Sequence, residues 1–94
     1  MRICGATLTP LQGNLPDPAF SRIEAKRQAV NAWIRTGGEY DAVIDFDEVV
    51  RDPTMPARLL PLYDSGDHLH PNNAGYEAMG NAIDLKLFKN GEDR

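Results

Sequence analysis

Both histidines of the chain sit in one decapeptide, Tyr63-Asp64-Ser65-Gly66-Asp67-His68-Leu69-His70-Pro71-Asn72. An imidazole titrates near neutrality and can take and return a proton, provided that a carboxylate fixes its tautomer and stabilises the imidazolium that forms. Asp67 and His70 have the spacing for this. Three residues apart in a tight turn, the carboxylate can reach back to ring Nδ1 and leave Nε2 facing a nucleophile. Pro71 stiffens the loop where it enters the helix that follows. The same residues also have a non-catalytic reading. Histidines at helix entrances cap or bond neighbouring loops, and aspartates recur in turns because their side chains hydrogen-bond the backbone. His68 reads as a solvent-facing or supporting residue.

Asp64, Asp67, His68 and His70 also spell part of a metal site, because His-x-His with carboxylates suits zinc or manganese. The sequence offers no third histidine to complete the shell, so no metal and no other cofactor is expected. Neither serine suits a nucleophile. Ser21 falls early in a predicted helix without a glycine elbow, and Ser65 belongs to the loop that already holds the base. Asp45 and Asp47 stand at the carboxyl end of a predicted strand, the edge where α/β sheets bind ligands, but cap or turn duty is expected of both. Arg51 is placed to pair with Asp52 or with a substrate. Cys4 reads as an inert filler, and Phe20 and Trp33 as core residues.

These residues need elements to hold them. Arg2 to Thr9 reads as a strand that stops at Pro10, and residues 10–17 as a loop. Asp17-Pro18 and Gly37-Gly38 bracket a helix from about Pro18 to Thr36, with Ile23, Val30, Trp33 and Ile34 as its buried stripe. Glu24, Lys26, Arg27 and Arg35 fall on the solvated side. Ala42 to Phe46 is a short apolar run suited to a buried parallel strand, which completes one βαβ unit. Residues 47–61 break into a helical turn and a proline-punctuated loop. Asn72 or Asn73 then caps a last helix carrying Ala74, Ala78 and Ala82 beside Met79, Ile83 and Leu87. Residues 89–94 are expected to fray.

Ninety-four residues allow one domain, and 41% hydrophobic with 26% charged residues is an ordinary globular composition. A net charge of -4 has the wrong sign for a protein that neutralises phosphates, so neither nucleic acid nor an anionic membrane surface is an expected partner. No apolar run approaches the roughly 20 residues that span a bilayer, and no signal-peptide pattern opens the chain. The chain therefore reads as soluble, its compartment open. A single cysteine excludes an internal disulfide framework. Two strands with two or three helices leave one sheet face uncovered, and the chain starts inside a strand. The expectation is a single partial α/β domain over residues 1–94. It would either form the carboxyl-terminal part of a larger domain or borrow the missing layer from a second copy.

Asp67-His68-Leu69-His70-Pro71-Asn72-Asn73-Ala74-Gly75-Tyr76 resembles the last block of the SGNH (GDSL) hydrolases, Asp-x-x-His-Pro followed by Asn and a small-residue helix start. Gly5 to Pro10, Val30 to Arg35, Val43 to Asp47 and Arg51-Asp52-Pro53 resemble the segments that precede it, so the likeness covers roughly residues 3 to 88. The details are most similar to a branch of arylesterases and acylhydrolases linked to plant-polysaccharide deacetylation. The resemblance implies a three-layer α/β/α flavodoxin-like fold, of which this chain would be the carboxyl-terminal portion. It further implies a Ser-His-Asp triad with His70 as general base and Asp67 as its orienter, and an ester substrate, acetylated polysaccharide being the candidate. The family's Gly-Asp-Ser nucleophile block and its oxyanion-hole Gly and Asn blocks have no counterpart in the sequence. Catalytic silence alone is therefore expected, with a complementing amino-terminal fragment as partner. The alternative is a non-catalytic α/β module that keeps the family's tail for binding or assembly.

Overall fold

The computed structural model describes residues 3–84. Strand β1 (Cys4–Ala6) leads into the long helix α1 (Ala19–Thr36), which returns the chain to β2 (Ala42–Ile44). The two strands pair in parallel, Cys4 opposite Ala42 and Ala6 opposite Ile44, so the expected βαβ unit is present. Helix α2 (Phe46–Val50), an antiparallel ribbon of β3 (Arg51–Asp52) and β4 (Met55–Leu59), a 3₁₀ turn (Pro61–Tyr63) and helix α3 (Asn73–Asn81) follow. The ribbon was not legible in the pattern because Pro53 and Pro56 punctuate it. A two-stranded ribbon tolerates Pro56, since its ladder lacks a second neighbour that would need the missing N–H. Helix α3 stops at Asn81, short of the expected run, and Leu87 and residues 89–94 lie outside the described residues.

The buried side of α1 is the reverse of the expected stripe. Ile34 is buried, but Ile23, Val30 and Trp33 are exposed, and Arg27 and Asn31 take the interior positions. Charge pairing explains the inversion. Asp47 is 1% exposed and receives three guanidinium groups: Arg27 Nη1 at 2.6 Å on Oδ1, Arg35 Nη2 at 2.8 Å and Arg51 Nη1 at 3.0 Å on Oδ2. Arg27 also holds Glu24 through Nε at 2.7 Å and Nη2 at 2.8 Å. Burial pushes the Arg27 guanidinium down, but its bonds to Glu24 and Asp47 outweigh that and raise it. Arg51 thus serves Asp47, and Asp47 is a buried hub rather than a turn residue. Asp45 does cap α2, accepting from the Glu48 N–H, while also pairing with Arg35. Trp33 sets its ring edge-on against Tyr40 at 5.8 Å on the surface, outside the core expected for it. Cys4 is exposed rather than buried as filler.

The ion-pair hub fixes the carboxyl ends of both parallel strands. The Thr7 hydroxyl donates to Asp45 at 2.9 Å and accepts the Asp47 N–H at 2.9 Å. Asn31, fully buried, grips Leu8 by both backbone groups, accepting its N–H at 2.7 Å and donating to its carbonyl at 2.9 Å. The loop after β1 therefore leaves the sheet along a fixed path. Its Gln12 N–H donates to the Ala57 carbonyl at 3.0 Å, which ties it to β4.

These pairings predict an acid response. Arg35 pulls the Asp45 carboxyl down to about 2 against the upward push of burial, helped by the Thr7 hydroxyl and the Glu48 N–H. Asp52 is also lowered to about 2, by the Thr54 hydroxyl and N–H and then by Arg58. Both folded values lie below the unfolded value of about 3.9, so their stabilisation is complete above that value and is lost as pH falls toward 2. Urea titrations at about pH 5 and about pH 2 should show Asp45→Asn clearly weaker than the parent at the higher pH, with the gap closing at the lower.

Candidate active site

The decapeptide forms a loop closed at its base by two backbone bonds, Ser65 N–H to His70 carbonyl at 3.1 Å and Asn72 N–H to Tyr63 carbonyl at 2.7 Å. Within it Asp67 and His70 meet as their spacing predicted. Asp67 Oδ2 lies 2.6 Å from His70 Nδ1, and Oδ1 accepts the backbone N–H groups of Leu69 at 2.9 Å and His70 at 2.8 Å. The carboxylate is thus fixed by the same turn that presents the ring. The His70 side chain bond, with the His70 and Leu69 N–H groups, holds the Asp67 carboxyl well below the usual carboxylate range. Asp67 is an anion at any pH where an imidazole titrates, and can stabilise a positive ring. The His70 side chain is 64% exposed, so Nε2 is accessible to a group brought to it.

Neither serine is placed for attack. Ser65 Oγ donates to Asp67 Oδ1 at 3.1 Å, on the carboxylate rather than on the imidazole, and Ser21 Oγ bonds Asp17 at the start of α1. Asp64, Asp67, His68 and His70 do not converge: among the described residues no three His, Cys, Asp or Glu side chains assemble a metal shell. Instead they split into two pairs. Asp64 Oδ2 lies 2.6 Å from His68 Nδ1, a second carboxylate-imidazole couple in the same loop. The four-residue spacing of Asp64 and His68 carries that signal, although from the sequence His68 reads only as a solvent-facing or supporting residue.

Helix α3 anchors the loop from behind. Asn72 accepts the Gly75 N–H at 2.9 Å as its cap and donates to the carbonyls of Leu62 at 2.9 Å and Asp64 at 3.3 Å. Gly75 fits because a Cβ there would lie 2.8 Å from Pro71 Cβ and 2.9 Å from the Tyr63 carbonyl oxygen. Asn72→Ala removes the cap and both tethers together, with an expected loss of about 1–2 kcal/mol in urea unfolding, the upper part of the range for a lost N-cap. From the front, the loop after β1 reaches the decapeptide, Asn14 Nδ2 donating to the Asp67 carbonyl at 3.0 Å. The pair therefore stands where the carboxyl edge of the parallel sheet delivers its loops, the usual ligand edge of α/β folds.

The sequence profile of the GDSL-like Lipase/Acylhydrolase family matches residues 1–78, which includes the whole decapeptide and the cap of α3. The chain belongs to this family. A small α/β structure with a parallel pair of strands and helices is consistent with part of the flavodoxin-like fold of GDSL-like hydrolases. No curated protein matches the chain. Membership makes this a chain of an acyl-ester hydrolase family, and it gives the Asp67–His70 pair a chemical context that its geometry alone lacks.

Proposed function

We propose that the chain supplies the acid-base half of a serine ester hydrolase, His70 acting as general base and Asp67 as the group that orients it. The observation that carries this is the 2.6 Å contact of Asp67 with His70 Nδ1, made while the same carboxylate accepts the backbone of its own turn. With Nδ1–H donated to Asp67, Nε2 holds a lone pair for a serine hydroxyl, takes its proton during attack on the ester carbonyl, and returns it to the departing alcohol. The nucleophile and the donors for the oxyanion come from a partner segment bearing the family's Gly-Asp-Ser block. Without them the base has nothing to deprotonate and no developing charge is met.

Support for a covering partner comes from the apolar surface of α1. Ile23 and Val30 line a groove of about 320 Å³ with Leu8 and Leu11, and Trp33 is 51% exposed beside them on the helix. Strand β1 pairs only with β2 among the described residues, which leaves its other edge for a further strand. A complementing segment of the same family satisfies both, whereas a second copy of this chain covers the face but brings no nucleophile. The test is hydrolysis of p-nitrophenyl acetate by the chain alone and after addition of a polypeptide carrying the Gly-Asp-Ser block. The chain alone should not exceed its His70→Ala control, and the mixture should. Turnover by the chain alone, lost in His70→Ala, would show that it contains its own nucleophile and defeat the proposal.

A further inference from the structure

We propose that His68, set by Asp64, is the binding residue of a second site served by the same loop as His70, a cleft of about 470 Å³ that takes an uncharged, hydroxyl-bearing ligand. The cleft runs between the loop after β1 and the ribbon. Gln12, Arg58 and His68 are on its lining, and His70 is not. Its volume falls within the few hundred to a thousand Å³ usual for small-molecule sites.

Independent features hold the His68 ring in place. Asp64, with a side chain 12% exposed, accepts the Gly66 N–H at 2.8 Å and the His68 N–H at 3.1 Å on Oδ1, and meets His68 Nδ1 with Oδ2. His68 has φ +60°, a left-handed backbone that a histidine adopts at a cost and keeps only where its surroundings enforce it. Gly13, at φ +102°, lies so close that a Cβ would stand 3.0 Å from the ring's Cδ2. The ring is thereby held at the cleft with its side chain 52% exposed. With Nδ1 engaged by Asp64, Nε2 is the nitrogen left for a ligand.

The charge balance selects the ligand class. Arg58 spends Nε at 3.0 Å and Nη2 at 2.8 Å on Asp52, and the His68 ring faces the Asp64 carboxylate, so both polar groups already have acidic partners. With the Arg58 charge met by Asp52 and the Asp64 carboxylate on the lining, the cleft holds no uncompensated positive charge. An anion gains nothing there. Met55, Leu59 and Pro61 supply an apolar floor, against which a ring or chain face can lie while its hydroxyls reach Gln12, Arg58 and His68. That this is the subsite for the alcohol side of an ester rests on the hydrolase reading; the binding itself does not.

The intact chain is titrated with methyl β-glucopyranoside, which has such a face and rim, and in parallel with glucuronate, the same ring made anionic. Imidazole NMR signals of His68 should move saturably with the glucoside while those of His70 stay, and glucuronate should bind more weakly. Asp64→Asn and Gly13→Ala, each checked for a folded amide spectrum, should weaken the glucoside about tenfold, the worth of one oriented hydrogen bond. No saturable shift at His68, equal affinity for glucuronate, or unchanged binding in both variants would overturn the site. Binding is read without turnover, so no hydrolysis by the mixture with the Gly-Asp-Ser polypeptide, with glucoside binding intact, counts against the hydrolase reading alone, and hydrolysis by that mixture without glucoside binding counts against this site alone.

Discussion

His70→Ala is expected to abolish ester hydrolysis by the complemented enzyme, with a fall in kcat of about 10⁶-fold where base and nucleophile act as a unit. Asp67→Asn should cost less, about 10⁴-fold, because the ring stays in the loop but loses the acceptor that sets its tautomer and stabilises its positive form. The Asp67 side chain is 46% exposed, so solvent can replace part of its interaction with the ring, and the asparagine variant should not fall below the alanine one. KM should change little in either, since in the proposed roles both residues act on the proton and not on the ground-state ester. A steady-state assay with an aryl ester, compared at equal occupancy of the complementing segment, separates these outcomes. Equal rates for His70→Ala and the parent would place the base elsewhere.

The second large effect is on stability. Asp47→Ala removes the one carboxylate shared by Arg27, Arg35 and Arg51, and Arg27 is itself 2% exposed. Deleting one partner of a buried pair costs about 3–5 kcal/mol, and because Arg27 keeps Glu24 and Arg35 keeps Asp45, the lower end of that range, about 3 kcal/mol, is expected. A domain of this size has roughly 5–15 kcal/mol in total, so the variant should be largely unfolded under mild urea. Arg51→Ala is the control. Its side chain is 31% exposed and Asp47 keeps two other guanidinium partners, so a loss of about 1 kcal/mol or less is expected. Circular dichroism under urea measures both, and comparable losses in the two variants would mean that the hub is not the keystone of α1.

The two findings have different histories in the sequence. Asp67-x-x-His70 was readable because a turn leaves a carboxylate three residues upstream few other directions to take, and because Pro71 and Asn72 mark where the turn must end. The strand-helix-strand unit was readable from the brackets around α1 and the short apolar run after it. The buried face of α1 was not. Periodicity assigns the interior to Ile23, Val30 and Trp33, and only the pairing partners decide that Arg27 and Asn31 go inside. Those partners, Asp47 and the backbone of Leu8, are distant in sequence, and no local pattern announces them. The Asp64–His68 couple is local, and what sequence distance hid is Gly13 set against its ring. A polar interior on one side of a helix and an apolar groove on the other is also what a helix would show if a further layer belonged on its exposed side.

Long-range proton–nitrogen correlation at the imidazoles reads directly which nitrogen of His70 carries the proton. The expected spectrum has His70 in the Nδ1–H form, with that proton shifted downfield and slow to exchange, and both features lost in Asp67→Asn. An Nε2–H ring, or the rapidly averaged mixture of a free histidine unaffected by that substitution, would mean that Asp67 does not orient His70 and that no base is held ready at this loop.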